Sequence, residues 1–282
     1  MAETADILTE KGQRVLLPER SAGCPMADMA DRKSAENCMK LLEEKFGKGR
    51  ILPITYVNSK AEVKAFCGKY GGTVVTSGNA PKILKWGLNS GKIVLFLPDQ
   101  NLGRNTAVDL GVSLDEMALY NQLKDELYLN CPADKVKIVL WGGYCHVHHF
   151  ITDETFFEAK KANEGYKVLL HPECRYDIVK EADGKGSTEF IINVVKGAPD
   201  GSKFLVGTEK NLVERIAHDN PGKEIKLLDS NSICRNMNKI NTENLYETLC
   251  EIREGNFKRQ VSVDDETAAL AVLALDKMLE LS

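Results

Sequence analysis

Three cysteines, Cys24, Cys145 and Cys234, each follow or end a short apolar run, and they stand far apart in a chain that contains no Cys-x-x-Cys pair. A zinc clip draws its ligands from closely spaced pairs. Ligands spread this widely must be brought together by the whole fold. Three thiolates suit a metal cluster that keeps one coordination position open, which is a centre for chemistry rather than for stapling.

The residues around the cysteines carry their own chemistry. In Gly23-Cys24-Pro25, glycine permits a tight approach and proline suits the first turn of a helix, so Cys24 falls near a helix N-terminus, where the dipole favours the thiolate. In Trp141-Gly142-Gly143-Tyr144-Cys145-His146-Val147-His148-His149 a strand ends, two glycines turn the chain, and a cysteine and three of the five histidines follow. Cysteine with histidine also reads as a zinc site, and His148 stands out above His146 and His149. His171-Pro172-Glu173-Cys174 closes another apolar run, placing a histidine and a carboxylate where open α/β sheets hold ligands. Glu173 there suits a general acid or base, or a metal-bound water, whereas Cys174 reads equally as a core thiol.

Two hydroxyl-rich loops suit anions. Thr76-Ser77-Gly78-Asn79 and Gly186-Ser187-Thr188 each lead from a strand into a helix, where free amides and hydroxyls bind phosphate or carboxylate and also serve as ordinary caps. Tyr56-Val57-Asn58-Ser59 adds polar groups at a further strand end. Asn231-Ser232-Ile233-Cys234-Arg235 is a polar loop before a helix near Thr242–Arg253. Cys38, Cys67, Cys131 and Cys250 read as structural. Neither a Walker-type lysine loop nor a Gly-x-Gly-x-x-Gly is present.

The elements that must position these loops alternate. Short, continuous apolar runs at Val15–Leu17, Ile51–Tyr56, Thr73–Thr76, Lys92–Leu97, Lys137–Trp141, Lys167–Leu170, Phe204–Val206 and Ile225–Leu228 predict parallel strands covered on both faces. Helical patterns lie between them. Ser113 and Glu116 form a capping box ahead of an expected helix over Met117–Leu129, and Ser262 is the expected cap of a long helix over Asp264–Leu281. The alternation predicts an α/β protein of three-layer domains. A strand–proline–acid pattern recurs at Val15–Glu19, Val94–Asp99 and Val168–Glu173, at a spacing of roughly 75 to 80 residues that suits one small α/β domain apiece.

Bulk composition narrows the class. Of 282 residues, 43% are hydrophobic and 28% charged, as in ordinary globular proteins. A net charge of −4 offers no footprint for nucleic acid or an acidic membrane, and no apolar run is long enough to span a bilayer. Eight cysteines without a secretion signal point to a reducing, cytoplasmic setting.

Taken in order, the segments Met1-Ala2-Glu3-Thr4-Ala5, Gly23-Cys24, Tyr56–Lys64, Thr76–Ala80, Leu97-Pro98-Asp99 with Asn101-Leu102-Gly103, Cys145 with Val147-His148, His171–Cys174, Gly186–Thr188 and Cys234–Met237 resemble the quinolinate synthase family, iron–sulfur enzymes of de novo NAD biosynthesis. The resemblance implies three αβα domains in a pseudo-threefold triangle. Here they would be residues 1–46 completed by 244–282, then 47–132, then 133–243. It implies a [4Fe–4S] cluster held by Cys24, Cys145 and Cys234. It also implies condensation of iminoaspartate with dihydroxyacetone phosphate to quinolinate, with loss of phosphate and water. By motif, Tyr56, Asn58, Ser77, His171, Glu173, Ser187 and Thr188 would line the substrate pocket, with Glu173, His171 and Tyr56 catalytic. A functional link follows to L-aspartate oxidase or aspartate dehydrogenase, which supply iminoaspartate.

Two departures from the family pattern stand out. After His171–Cys174 the family carries a proline and a glutamate, where this chain has Arg175-Tyr176-Asp177. The family also runs for about half a domain before the point that matches Met1, through a substrate-binding histidine, tyrosine and serine. The expectation is therefore an incomplete first domain, lowered stability and little synthase activity. The competing readings are a zinc-dependent hydrolase using Cys145, His148, His171 and Glu173, and a non-catalytic anion-binding fragment.

Overall fold

A computed structural model of the chain describes residues 1–10 and 12–282. It is an α/β protein of two sheets. The first contains β1 (Ile51–Tyr56), β2 (Thr73–Val75), β3 (Ile93–Leu97), β4 (Met117–Asn121), β5 (Glu126–Leu129) and β6 (Ile138–Trp141), in the order β2-β1-β3-β6-β4-β5. Every pairing is parallel except β4 with β5. The second contains β7 (Lys167–Leu170), β8 (Gly184–Lys185), β9 (Lys203–Gly207) and β10 (Glu224–Leu227), all parallel, in the order β10-β9-β7-β8.

The period-two geometry of a strand explains why continuous apolar runs were needed. Ile93, Leu95 and Leu97 enter one core with Val139 and Trp141, while Val94 and Phe96 enter another with Ile138 and Leu140. The first core is closed by the helices Arg32–Phe46, Ala61–Lys69 and Asp265–Leu281, the second by Ala80–Asn89 and Gln100–Asp109. The second sheet divides in the same way. Val168 and Leu170 face the helices Asp153–Ala162 and Tyr176–Val179, and Leu169 faces Thr188–Gly197 and Lys210–Asp219. Each sheet is thus the middle of three layers.

Several local expectations change. The Ser113–Glu116 capping box is present, but it caps a single 3₁₀ turn, Leu114–Glu116, and the expected Met117–Leu129 helix is the β4–β5 hairpin. Pairing of Met117–Tyr120 with β6, which buries Met117, Ala118 and Tyr120, outweighs local helix propensity. Val15–Leu17 is not a ladder strand among the described residues: Leu16 makes one isolated bridge, to Gln260. The long C-terminal helix is capped by Asp264, which accepts from the Thr267 amide, rather than by Ser262.

The boundary strands also fall differently. The strand at Lys137–Trp141, read with residues 133–243, pairs between β3 and β4 of the first sheet as β6. The helices Arg32–Phe46 and Asp265–Leu281, read with a first domain, form an outer layer of that same sheet. Between 1–46 and 244–282 the chain ends do meet, through Leu17 N to Arg259 O and Val261 N to Val15 O at 3.1 and 2.9 Å.

Candidate active site

Apart from Cys24, which precedes the first strand, the residues singled out for chemistry lie beyond the C-terminal ends of the parallel strands, the usual position for ligand groups in open α/β sheets. Tyr56 ends β1 and Ser77 follows β2; Cys145 follows β6, while His171 and Glu173 follow β7, and Ser187 follows β8. The two sheets present these ends to one another. A Cβ added at Gly78 would lie 3.7 Å from Ser187 Oγ, so the two hydroxyl-rich loops are neighbours.

Glu173 is the centre of the group. It is 4% exposed, and its Oε2 lies 2.8 Å from His148 Nδ1 and 3.6 Å from His171 Nδ1. Cys145, His148 and Glu173 bring their ligand atoms within 4.8 Å of one another. The His148 and His171 rings stack with centroids 4.5 Å apart, and His148 Nε2 meets Thr208 Oγ1 at 3.1 Å. Although close to Glu173, His148 Nδ1 is off the axis of a directed hydrogen bond and is a buried polar atom with no such partner. A buried nitrogen left this way is free to turn toward a ligand.

Cys24 and Cys145 are built alike. Each is the N-cap of a four-residue helix, Pro25–Asp28 and His146–His149 respectively. Burial pushes the Cys24 thiol up, and the amides of Ala27 and Met26 aimed at its sulfur pull the other way. Burial pushes Cys145 up further, helped by the carboxylates of Glu173 and Asp99 and opposed by the amides of His148 and Val147. Asn58 Nδ2 donates to Cys24 Sγ at 3.3 Å. Cys234 reaches the same region through its backbone: its amide donates to Glu209 Oε1 at 3.2 Å. Asn236 Nδ2 then donates to Gly23 O at 2.7 Å and Lys239 Nζ to Ser21 O at 2.8 Å, tying the third cysteine loop to the first.

This donor set fits a thiolate-bound metal centre. Amides directed at sulfur stabilise a thiolate and tune a cluster. A bare Cys145 thiolate would instead face two carboxylates without a cation, so a metal is what would ionise it. The remaining expected residues divide. Tyr56 is in reach of both Ser77 and Glu173, and burial followed by the Glu173 charge pushes its hydroxyl well up, keeping it a proton donor. Thr188 is exposed on the first turn of its helix, beyond Ser187, which caps that turn by accepting from Phe190 N at 3.2 Å. Cys174 is fully buried in the core of the second sheet.

Three residues were given no chemical role by sequence reasoning, although Asp99 closed one of the strand–proline–acid motifs. Asp99 is fully buried and accepts from Leu102 N at 2.7 Å and Cys145 N at 2.9 Å, so it fixes the second cysteine loop. Burial and the nearby Glu173 push its carboxyl well up against these amide bonds. Thr208 and Glu209, at the end of β9, hold His148 and the Cys234 amide. A Thr-Glu pair closing a strand was the available signal.

The quinolinate synthetase A family model matches residues 1–280. The quinolinate synthase of Bacillus pumilus is 47% identical over 280 residues, covering 99% of this chain and 76% of that protein. That of Bacillus subtilis is 44% identical over 283 aligned positions, covering 100% of this chain and 77% of its own length, and that of Listeria monocytogenes serotype 4b is 45% identical over the same span. The chain belongs to the quinolinate synthetase A family. Membership makes it an enzyme-family protein acting on small molecules, and among the described residues no helix is long and apolar enough to cross a membrane.

Charge within the family site is unevenly held. Burial pushes His171 down to about 3, with His148 adding to the effect, so His171 is neutral at neutral pH. Burial alone would push Glu173 up; the imidazoles of His171 and His148 and the Tyr56 hydroxyl oppose it and hold the carboxyl down, at about 2. Because His171 is neutral, its own charge gives no such support, and the Tyr56 hydroxyl is left as a hydrogen-bond donor to Glu173. Glu173 is therefore a carboxylate, ready to accept a proton rather than to give one.

Proposed function

We propose that the chain is a quinolinate synthase that condenses iminoaspartate with dihydroxyacetone phosphate, releasing phosphate and two waters. The observation that carries this reading is the matched construction of Cys24 and Cys145, each with helix amides aimed at sulfur, close to the buried Glu173 carboxylate. Cys24, Cys145 and Cys234 would hold a [4Fe–4S] cluster, whose iron without a cysteine ligand supplies Lewis acidity toward a substrate oxygen or nitrogen.

The chain's own groups then have distinct tasks. Ser77 and Ser187, on adjacent loops at helix starts, bind the carboxylates and phosphate, with Thr188 at the pocket mouth. Asn58 and Tyr56 orient the condensing intermediate. Glu173 removes the protons that accompany loss of water, and neutral His171 keeps that carboxylate from being quenched by a full positive charge. Iminoaspartate is short-lived in water, so an enzyme that oxidises aspartate must supply it, in the same cytoplasmic compartment.

Anaerobic purification followed by iron, sulfide and zinc analysis, with chromatographic detection of quinolinate, tests the reading. Cys24→Ser, Cys145→Ser and Cys234→Ser should each abolish cluster absorption, whereas Cys38→Ser and Cys67→Ser should retain it. Cluster absorption surviving Cys234→Ser removes that ligand. The close approach of Cys145, His148 and Glu173 favours a second reading, a single zinc ion serving hydrolysis. Stoichiometric zinc without sulfide would establish that reading instead.

A further inference from the structure

Beside the helix Gln100–Asp109 lies a cavity of about 440 Å³, between that helix, the β4 strand and the segment Arg175–Asp177. That volume is in the range of small-molecule sites. One wall is apolar, formed by Leu114, Met117, Leu119 and Leu140. The other carries Arg104, Arg175 and His149.

The hydrogen bonds fix what this polar wall can offer. Arg104 Nη1 donates to Asn101 Oδ1 at 3.2 Å and Nη2 to Gln100 Oε1 at 3.0 Å. Because the Asn101 oxygen faces Arg104, its Nδ2 faces His149 Nδ1, 3.1 Å away. His149 Nδ1 therefore accepts, and its proton sits on Nε2. Burial and the charges of Arg175 and Arg104 push His149 down, which agrees with a neutral ring. Arg175 is already paired with Asp153 and Asp177. Arg104 is different: among the described residues its guanidinium bonds only neutral amide oxygens and has no carboxylate within 4.0 Å.

A half-buried cation met only by neutral amides, beside further N–H donors and an apolar wall, is a receptor for a complementary ligand. We propose that this cavity binds a small monocarboxylate with a flat apolar body, its carboxylate on Arg104 and the His149 Nε2–H and its body against Met117, Leu119 and Leu140. One unpaired guanidinium with Asp177 nearby favours a single negative charge over a phosphate dianion. The site is separate from the cysteine site, although His149 adjoins His148 and Arg175 follows Cys174 in the chain. It does not depend on the reaction proposed above.

Methyl-labelled leucine and methionine residues read this binding directly by NMR, using the protein as purified and benzoate as the probe. Benzoate should shift the methyl signals of Met117, Leu119 and Leu140 saturably. Benzamide, with the same ring and no charge, should bind at least about tenfold more weakly, as expected when a charge-assisted bond is removed. Arg104→Gln should weaken benzoate by a similar factor, and Leu114→Glu, at a position 41% exposed, should do so by charge repulsion without disturbing the core. Equal shifts with benzamide, unchanged affinity in both variants, or shifts confined to methyls near Cys24 would overturn the proposal. So would shifts of the same wall methyls on dilution of the protein alone, which would mean that a second copy fills the cavity.

Discussion

Lys64 shows how much a single side chain can be made to hold. It lies in the helix after the Asn58 loop, is fully buried, and donates to Ser59 O at 2.5 Å and Ser59 Oγ at 3.3 Å. Those bonds fix the turn from which Asn58 reaches Cys24. Burial pushes the Lys64 ammonium down to about 8 from its ordinary 10.5, against the pull of Glu3 and Cys67. Below about pH 8 both folded and unfolded chains are protonated, and the full cost of the buried charge is present. Between pH 8 and 10.5 the unfolded chain binds more protons, so this group makes stability rise with pH. The shift corresponds to roughly 3 kcal/mol. Buried thiols such as Cys38 and Cys67 act oppositely above the thiol range, so the comparison must be with Lys64→Met. Urea denaturation should show wild type gaining on Lys64→Met by about that amount from pH 8 to 10.5. A pH-independent difference would refute the assignment.

At the scale of elements, the contact between the helices Ala61–Lys69 and Asp265–Leu281 depends on Gly68. A Cβ there would collide with the backbone oxygen of Leu270, an atom that cannot swing aside. Gly68→Ala should therefore destabilise by about 1 to 3 kcal/mol through overpacking, despite alanine's better helix propensity. Hydrogen exchange should locate the loosened region in Asp265–Leu281; a stabilised variant would mean that the helix can shift freely. The same scale shows where local reading succeeds and fails. Continuous apolar runs marked seven of the strands, because burial on both faces leaves that imprint. The β4–β5 hairpin was hidden behind a genuine capping box, since what made Met117–Tyr120 a strand was its pairing with β6. Val15–Leu17 failed for the converse reason: an apolar run with one bridge has no sheet to join among the described residues.

Across the whole molecule, the site exists because two sheets are held end to end, and Asn105 is one of the ties. Buried on the first-sheet helix Gln100–Asp109, it donates from Nδ2 to both Pro172 O and Cys174 O at 2.8 Å, the carbonyls flanking Glu173. Asn105→Asp keeps the shape but presents carboxylate oxygens to one or both carbonyls. It should lower quinolinate formation roughly ten- to hundredfold, the scale expected when a reacting group is slightly misplaced, while cysteine-bound iron is unchanged. Loss of iron together with activity would show that Asn105 supports the whole fold rather than the Glu173 loop. The types and order of residues were sufficient to determine the alternating α/β class, the strand-end loops and the family, because burial periodicity and motif order are written along the chain. Sequence alone also placed Cys24 at a helix start, since Gly23 and Pro25 are local signals. Only the tertiary structure decided that Asp99 fastens the Cys145 loop, that Thr208 faces His148 and that Glu209 holds Cys234. Each of those bonds joins segments that no local rule relates: the Asp99 and Glu209 bonds form when neighbouring strands of one sheet bring their ends together, and the Thr208 contact forms when the two sheets pack.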